Sequence, residues 1–249
     1  MHVRTLAALA TASGAALLAA AAPAPPAAAM FVPQPPRYAR AGAAGAGAAG
    51  VVGGTGVVGA AELLAATKGC DRVSRGSYAK DVGAKATVPV CGAEGAVYWR
   101  ADLDVACDGR ESERCNRKTD PWYLPGTAVR QSDGRSLDAA GLPYVVVPTP
   151  GPVWRYPESG IRGGGVVAVV HDGRVRYGVV GDTGPAKIIG EASYAMAESL
   201  GIDPDPVSGG VPSGVTYILF RGSKADPVES RASATSLGER LARAFVRAN

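Results

Sequence analysis

Two runs rich in β-branched residues, Val166 to Val170 and Val175 to Val180, flank the dipeptide Asp172-Gly173. β-Branched side chains fit a pleated surface, and Asp-Gly suits a two-residue turn because both of its positions require a positive φ. The segment from Gly164 to Asp182 is therefore expected to be a hairpin whose second strand ends on Asp182. Further strands are expected at Leu142 to Pro148, closed by proline, and at Gly214 to Phe220. The alternating start of the segment Ala96 to Gly109 predicts a strand opening into an acidic loop that holds Asp102, Asp104 and Asp108.

Helical signals are fewer. Ala60 to Thr67 predicts a short helix leading to Cys70, and Val73 to Val88 reads as irregular structure with short strands. After Gly190, the positions Ala192, Ala195, Met196, Ser199 and Leu200 recur at helical spacing, with Gly201 as the stop, so Glu191 is expected to open a helix. Leu237, Leu241 and Phe245 form one stripe of an amphipathic C-terminal helix from Ser233 to Ala248. Strands outnumber helices without β-α-β alternation, which predicts a mainly β fold, a small barrel with peripheral helices.

The first 29 residues place His2 and Arg4 ahead of an apolar stretch from Leu6 to Ala22, then small residues with Ala27 and Ala29 suited to cleavage. This order predicts a secretory signal peptide over residues 1–29, with no membrane association after cleavage. Residues 30–60, rich in Gly and Ala, read as a low-complexity linker, and residues 61–249 as one catalytic domain. Cys70, Cys91, Cys107 and Cys115 in an exported chain imply two disulfides. Three pairings are open, and Cys70–Cys91 with Cys107–Cys115 closes the shortest loops.

Charge narrows the function. Val90 to Glu229 holds 18 acidic and 14 basic residues, whereas the remainder holds 4 and 12. Nucleic acid, which needs clustered Lys and Arg, is an unsuitable partner for such a segment, and a cationic ligand is a suitable one. There is no GxSxG elbow, Walker A motif or CxxC, and His171 is the only histidine after the leader. The spacing of Asp102, Asp104 and Asp108 lacks the ligand pattern and terminal Glu of a calcium loop. Neither a metal nor another cofactor is expected.

Asp182 and Glu191 flank the turn Thr183-Gly184-Pro185 and can face one cleft from different elements, as glycoside hydrolysis requires of an acid and a base. Both are also ordinary capping residues. Trp99, Trp122 and Trp154 are candidates for stacking on sugar rings, with core packing the competing role.

The blocks GDTGP, IGEAS and GVTYILF, together with RADLDVACDG and SLDAAGLPYVVVP, resemble glycoside hydrolase family 75, the fungal-type endo-chitosanases, from about Cys70 onward. That resemblance implies inverting cleavage of β-1,4 links between glucosamine units, so that chitosan is the expected partner. It places the essential acid pair on Asp182 and Glu191, and an acidic substrate-facing block on Asp102, Asp104 and Asp108. The DTGP-to-helix pattern also resembles double-psi β-barrels of lytic transglycosylases and expansins. This implies a six-stranded double-psi-like barrel and an alternative activity on peptidoglycan, or wall loosening without hydrolysis. A helix N-terminus at Glu191 would favour its ionised form and a role as base, and an apolar strand end would keep Asp182 protonated as acid.

Overall fold

A computed structural model of the chain describes residues 57–249. The proposed signal peptide and nearly all of the linker lie outside the described residues. In chain order the elements are helix α1 (Ala60–Ala65), strands β1 (Asp71–Arg72), β2 (Cys91–Ala93), β3 (Ala96–Ala106), β4 (Tyr144–Pro148), β5 (Val166–His171), β6 (Arg174–Gly184) and β7 (Glu191–Ser193), helix α2 (Tyr194–Leu200), strand β8 (Val211–Phe220) and helix α3 (Arg231–Ala248). Val58 and Ala60 are buried, so the packed region begins ahead of residue 61.

Strands β3, β7, β4, β6, β5 and β8 are hydrogen-bonded in that order, and β8 pairs back onto β3. The ring is a closed six-stranded barrel with helices at its periphery, as expected for a mainly β chain. Its β3–β7 and β4–β6 contacts are parallel, and the hairpin β5–β6 is antiparallel. The hairpin turns at Asp172 and Gly173, with φ of 44° and 73°, the positive values that the Asp-Gly dipeptide anticipates. His171 lies half-buried at its tip, with Nδ1 3.3 Å from the Gly214 carbonyl.

Period-two alternation divides each strand between two apolar layers. Val97, Trp99, Leu103, Val145, Val167 and Tyr217 belong to one, which fills the barrel. Tyr98, Tyr144, Val146, Ala168, Tyr177 and Val179 belong to the other, shared with Leu63 of α1 and with Ala234, Ala242 and Phe245 of α3. Gly238 of α3 lies directly against the Tyr177 ring, where a side chain has no room. Trp99 is 1% exposed and stacks on Tyr217 at 5.2 Å between ring centroids, with Trp154 edge-on at 6.0 Å. Both tryptophans are core residues. Trp122 is half-buried in the long connection between β3 and β4.

Two sequence expectations are corrected by sheet pairing. Asp102 and Asp104 lie within strand β3 rather than in a loop, because β8 pairs along that strand as far as Leu103. Glu191 opens strand β7, not a helix. Its backbone is engaged between β3 and β4, and α2 begins only at Tyr194, capped by the Ser193 hydroxyl accepting from the Met196 amide. Both expected disulfides, Cys70–Cys91 and Cys107–Cys115, are formed. The second closes the chain immediately after β3 and so anchors the loop that starts at Asp108.

The decisive irregularity is in β6. Val145 pairs with Val180, but Val146 pairs with Asp182, so Gly181 is an extra residue in its strand. Such a bulge reverses which side chains point outward beyond it. The Gly181 carbonyl accepts from the Val129 amide at 3.2 Å, and a Cβ at Gly181 would come within 2.5 Å of Tyr144 Cγ. Gly181→Ala is therefore expected to lower stability by about 1–3 kcal/mol through overpacking and to lower activity beyond that loss. Denaturant unfolding paired with an activity assay on the folded fraction checks both effects.

Candidate active site

The bulge sets the site. Asp104 pairs with Glu191, Glu191 with Val146, and Val146 with Asp182, a row that crosses β3, β7, β4 and β6. Paired positions share a face of the sheet, and Val146 belongs to the outer apolar layer, so the three acids point outward with it. Only one strand separates Glu191 from Asp182, which puts their Cα atoms two strand spacings, ~9–10 Å, apart. Glu191 Oε2 reaches over Val146 toward Gly184, where an added Cβ would lie 3.4 Å from it.

Asp182 is 8% exposed. Its Oδ1 accepts from the Ala128 amide at 2.7 Å and from its neighbour Thr183 at 2.8 Å. Burial nevertheless raises its pKa, against those two amides and the nearby positive charge of Arg130. The connection from β3 to β4 thus docks on β6 at two adjacent points, Gly181 and Asp182.

Asp108 holds the same connection from its other end. Its Oδ1 accepts from the Leu124 amide at 2.7 Å, and its carbonyl accepts from the Tyr144 hydroxyl at 2.8 Å. Burial pushes the Asp108 carboxyl up to about 7, opposed by the Leu124 amide and reinforced by the charges of Asp182 and Asp120. Asp108 therefore stands near Asp182, and Trp122, whose amide donates to Asp120 Oδ1 at 2.9 Å, belongs to the same loop.

The other end of the row is also acidic. Asp102 lies two residues before Asp104 on the same face of β3 and is 4% exposed. Burial pushes its carboxyl up to about 8, with the charge of Asp104 adding to the effect. Oxygens of Asp81, Asp102 and Asp104 lie within 4.8 Å of one another. The sequence pattern grouped Asp108 with Asp102 and Asp104, whereas the fold groups Asp108 with Asp182 and brings Asp81 to the other two. No spacing rule would have found Asp81, which arrives from an irregular segment.

An outward-facing acid pair two strands apart, with further acids on both flanks, is suited to glycoside chemistry. A family model described as fungal chitosanase of glycosyl hydrolase group 75 matches residues 103–244. The chain belongs to this family. It is 32% identical over 153 residues to endo-chitosanase B of Aspergillus oryzae (strain ATCC 42149 / RIB 40), a match covering 55% of this chain and 64% of that protein. It is 35% identical over 144 residues to an endo-chitosanase of the same strain, covering 52% and 58%. An endo-chitosanase of Aspergillus fumigatus is 31% identical over 134 residues, covering 51% and 56%. The chain thus spans less than two thirds of the length of these relatives.

The part matched as family 75 contains Asp104, Asp108, Asp182 and Glu191, and starts one residue after Asp102. In this member the raised carboxyls also affect stability. Burial pushes the Asp108 carboxyl up to about 7 in the folded chain, whereas the ordinary value of the group is 3.8. Between those values the folded form binds more protons than the unfolded form, so this group's contribution to stability falls as pH rises. Asp108→Asn should flatten the stability profile between about pH 4 and 7, as read from denaturation midpoints across that range; an unchanged slope contradicts the assignment.

Proposed function

We propose that this family 75 member is a secreted endo-acting chitosanase that hydrolyses β-1,4 links between glucosamine units with inversion. The observation that carries the proposal is the common register of Asp182 and Glu191 about Val146, which turns both carboxyls to one face across a single intervening strand. An inverting pair stands about 6.5 to 9.5 Å apart to admit a water. A backbone separation of two strand spacings is compatible with that gap.

Asp182 is the general acid. Its burial favours the protonated carboxyl, from which the proton passes to the glycosidic oxygen as the bond to the anomeric carbon breaks. Glu191, half-buried and facing the same surface, is the general base. It takes a proton from the water that attacks the anomeric carbon from the opposite side. Its assignment rests on exposure and position, because the helix terminus that sequence suggested begins three residues later. The reaction leaves Glu191 protonated and Asp182 ionised, and one proton returned from Glu191 to Asp182 through solvent restores the pair.

Asp104 beside Glu191 gives the face a negative potential that draws an ammonium-bearing polymer and disfavours its N-acetylated form, and Asp108 and Asp102, whose protons burial favours, add polar groups that face the same polymer. Trp122 is the tryptophan left for stacking on a sugar ring. Export is supported by the two disulfides, which persist in oxidising compartments. Among the described residues no helix is long and apolar enough to cross a membrane.

The test is reducing-end release from fully deacetylated chitosan, chitin and peptidoglycan. Wild type is expected to cleave chitosan, and Asp182→Asn and Glu191→Gln are each expected to lose about 10²- to 10⁴-fold in kcat. Undiminished cleavage by both variants would remove the pair from the mechanism. Cleavage of peptidoglycan alone, or binding without cleavage, would replace the proposed activity with the wall-active alternative.

A further inference from the structure

On the β3 side of the Asp182–Glu191 pair, three carboxylates converge on a cavity of about 50 Å³ between β3 and the start of β8. Asp102 and Asp104 reach it from β3, and Asp81 reaches it from a turn in which its carbonyl accepts from the Ala84 amide at 3.1 Å. Lys80 also lines it, but its ammonium donates to the Pro212 carbonyl at 2.7 Å.

The second observation is the state of Asp102. This residue is 4% exposed, and its Oδ1 is fully buried without a hydrogen-bond partner. A buried polar atom normally has a partner, and leaving one unmade is costly. Gly190, at φ 118°, lies against that same oxygen, so a larger residue there would displace the carboxyl from its place.

We propose that Asp81, Asp102 and Asp104 bind a divalent cation of the calcium type, which ties the turn at Asp81 to strand β3. Oxygens mutually within 4.8 Å lie within about 2.8 Å of a common centre, so a shift of a few tenths of an ångström brings them to the 2.3–2.6 Å of calcium coordination. An all-oxygen set suits a hard cation and not zinc, which favours nitrogen and sulfur. The cavity has room for an ion with about one water, each water taking roughly 30 Å³, and is too small to enclose a sugar ring. Three carboxyl groups and one lysine line the cavity, a set whose oxygens a divalent ion complements. Because Asp104 pairs with Glu191, an ion here would also stiffen the strand beside the proposed base.

The inference does not rest on the polysaccharide reading, and its test requires no hydrolysis. Tyr217 donates its hydroxyl to the Asp102 carbonyl at 2.7 Å and stacks on Trp99, so a sensitiser stands beside the site. Titration of the full chain with Tb³⁺ at neutral pH should give saturable sensitised emission that Ca²⁺ displaces, and Ca²⁺ should raise the thermal midpoint. Asp81→Asn, at a half-buried turn outside the catalytic pair, should weaken Tb³⁺ by about tenfold or more while keeping the near-UV spectrum of the folded chain. Asp133→Asn, a control on another loop, should leave binding unchanged. Absence of saturable emission up to millimolar ion, or wild-type affinity retained in both Asp81→Asn and Asp104→Asn, would overturn the site. Displacement of Tb³⁺ by glucosamine but not by N-acetylglucosamine would overturn it in favour of a substrate amine.

Discussion

One extra residue in a strand determines where the acid can act. Without the bulge at Gly181, strict alternation from Val180 would turn Asp182 into the barrel, among the valines and aromatics that fill it. With the bulge, Asp182 emerges in register with Val146 and on the face of Glu191. Gly181 is suited to that place twice over: the Tyr144 ring lies against its Cα, and its carbonyl is released from β4 to accept from Val129. The same event that turns the acid outward therefore creates the dock for the loop that covers it.

Burial then acts on these acids in one direction. Asp182 keeps two amide donors on one oxygen and still has a raised pKa, because desolvation outweighs them. Asp108 and Asp102 are raised for the same leading reason, with a neighbouring carboxylate adding to each. A row of acids on a partly covered sheet face cannot all ionise at neutral pH without strong mutual repulsion. Some of the row must hold protons or attract cations, and either outcome suits the proposed encounter with an amino sugar polymer.

Much of the architecture was legible because it is written in local chemistry. The Asp172-Gly173 hairpin, the Gly201 helix stop and the two short-loop disulfides each follow from residues no more than 21 positions apart. Partners distant in sequence set the rest. Glu191 sits before a helical pattern, yet β3 and β4 claim its backbone for a sheet. Asp102 and Asp104 look like loop acids until β8, more than 100 residues later, pairs alongside them. Asp81 carries no signal at all, since its neighbours Asp102 and Asp104 are reached only through the fold. The glycine at 181 was the one visible clue to the bulge, because a glycine within a β-branched run commonly marks such a site.

The central claim is that Asp182 and Glu191, held two strand spacings apart on one sheet face, leave room for water to displace the leaving sugar directly. Proton NMR of fresh digests of chitosan, recorded before the new reducing ends equilibrate, tests it most directly. The account predicts that those ends appear first as the α-anomer. Initial appearance of the β-anomer would mean retention through a covalent intermediate and would contradict the separation on which this reading of the site depends.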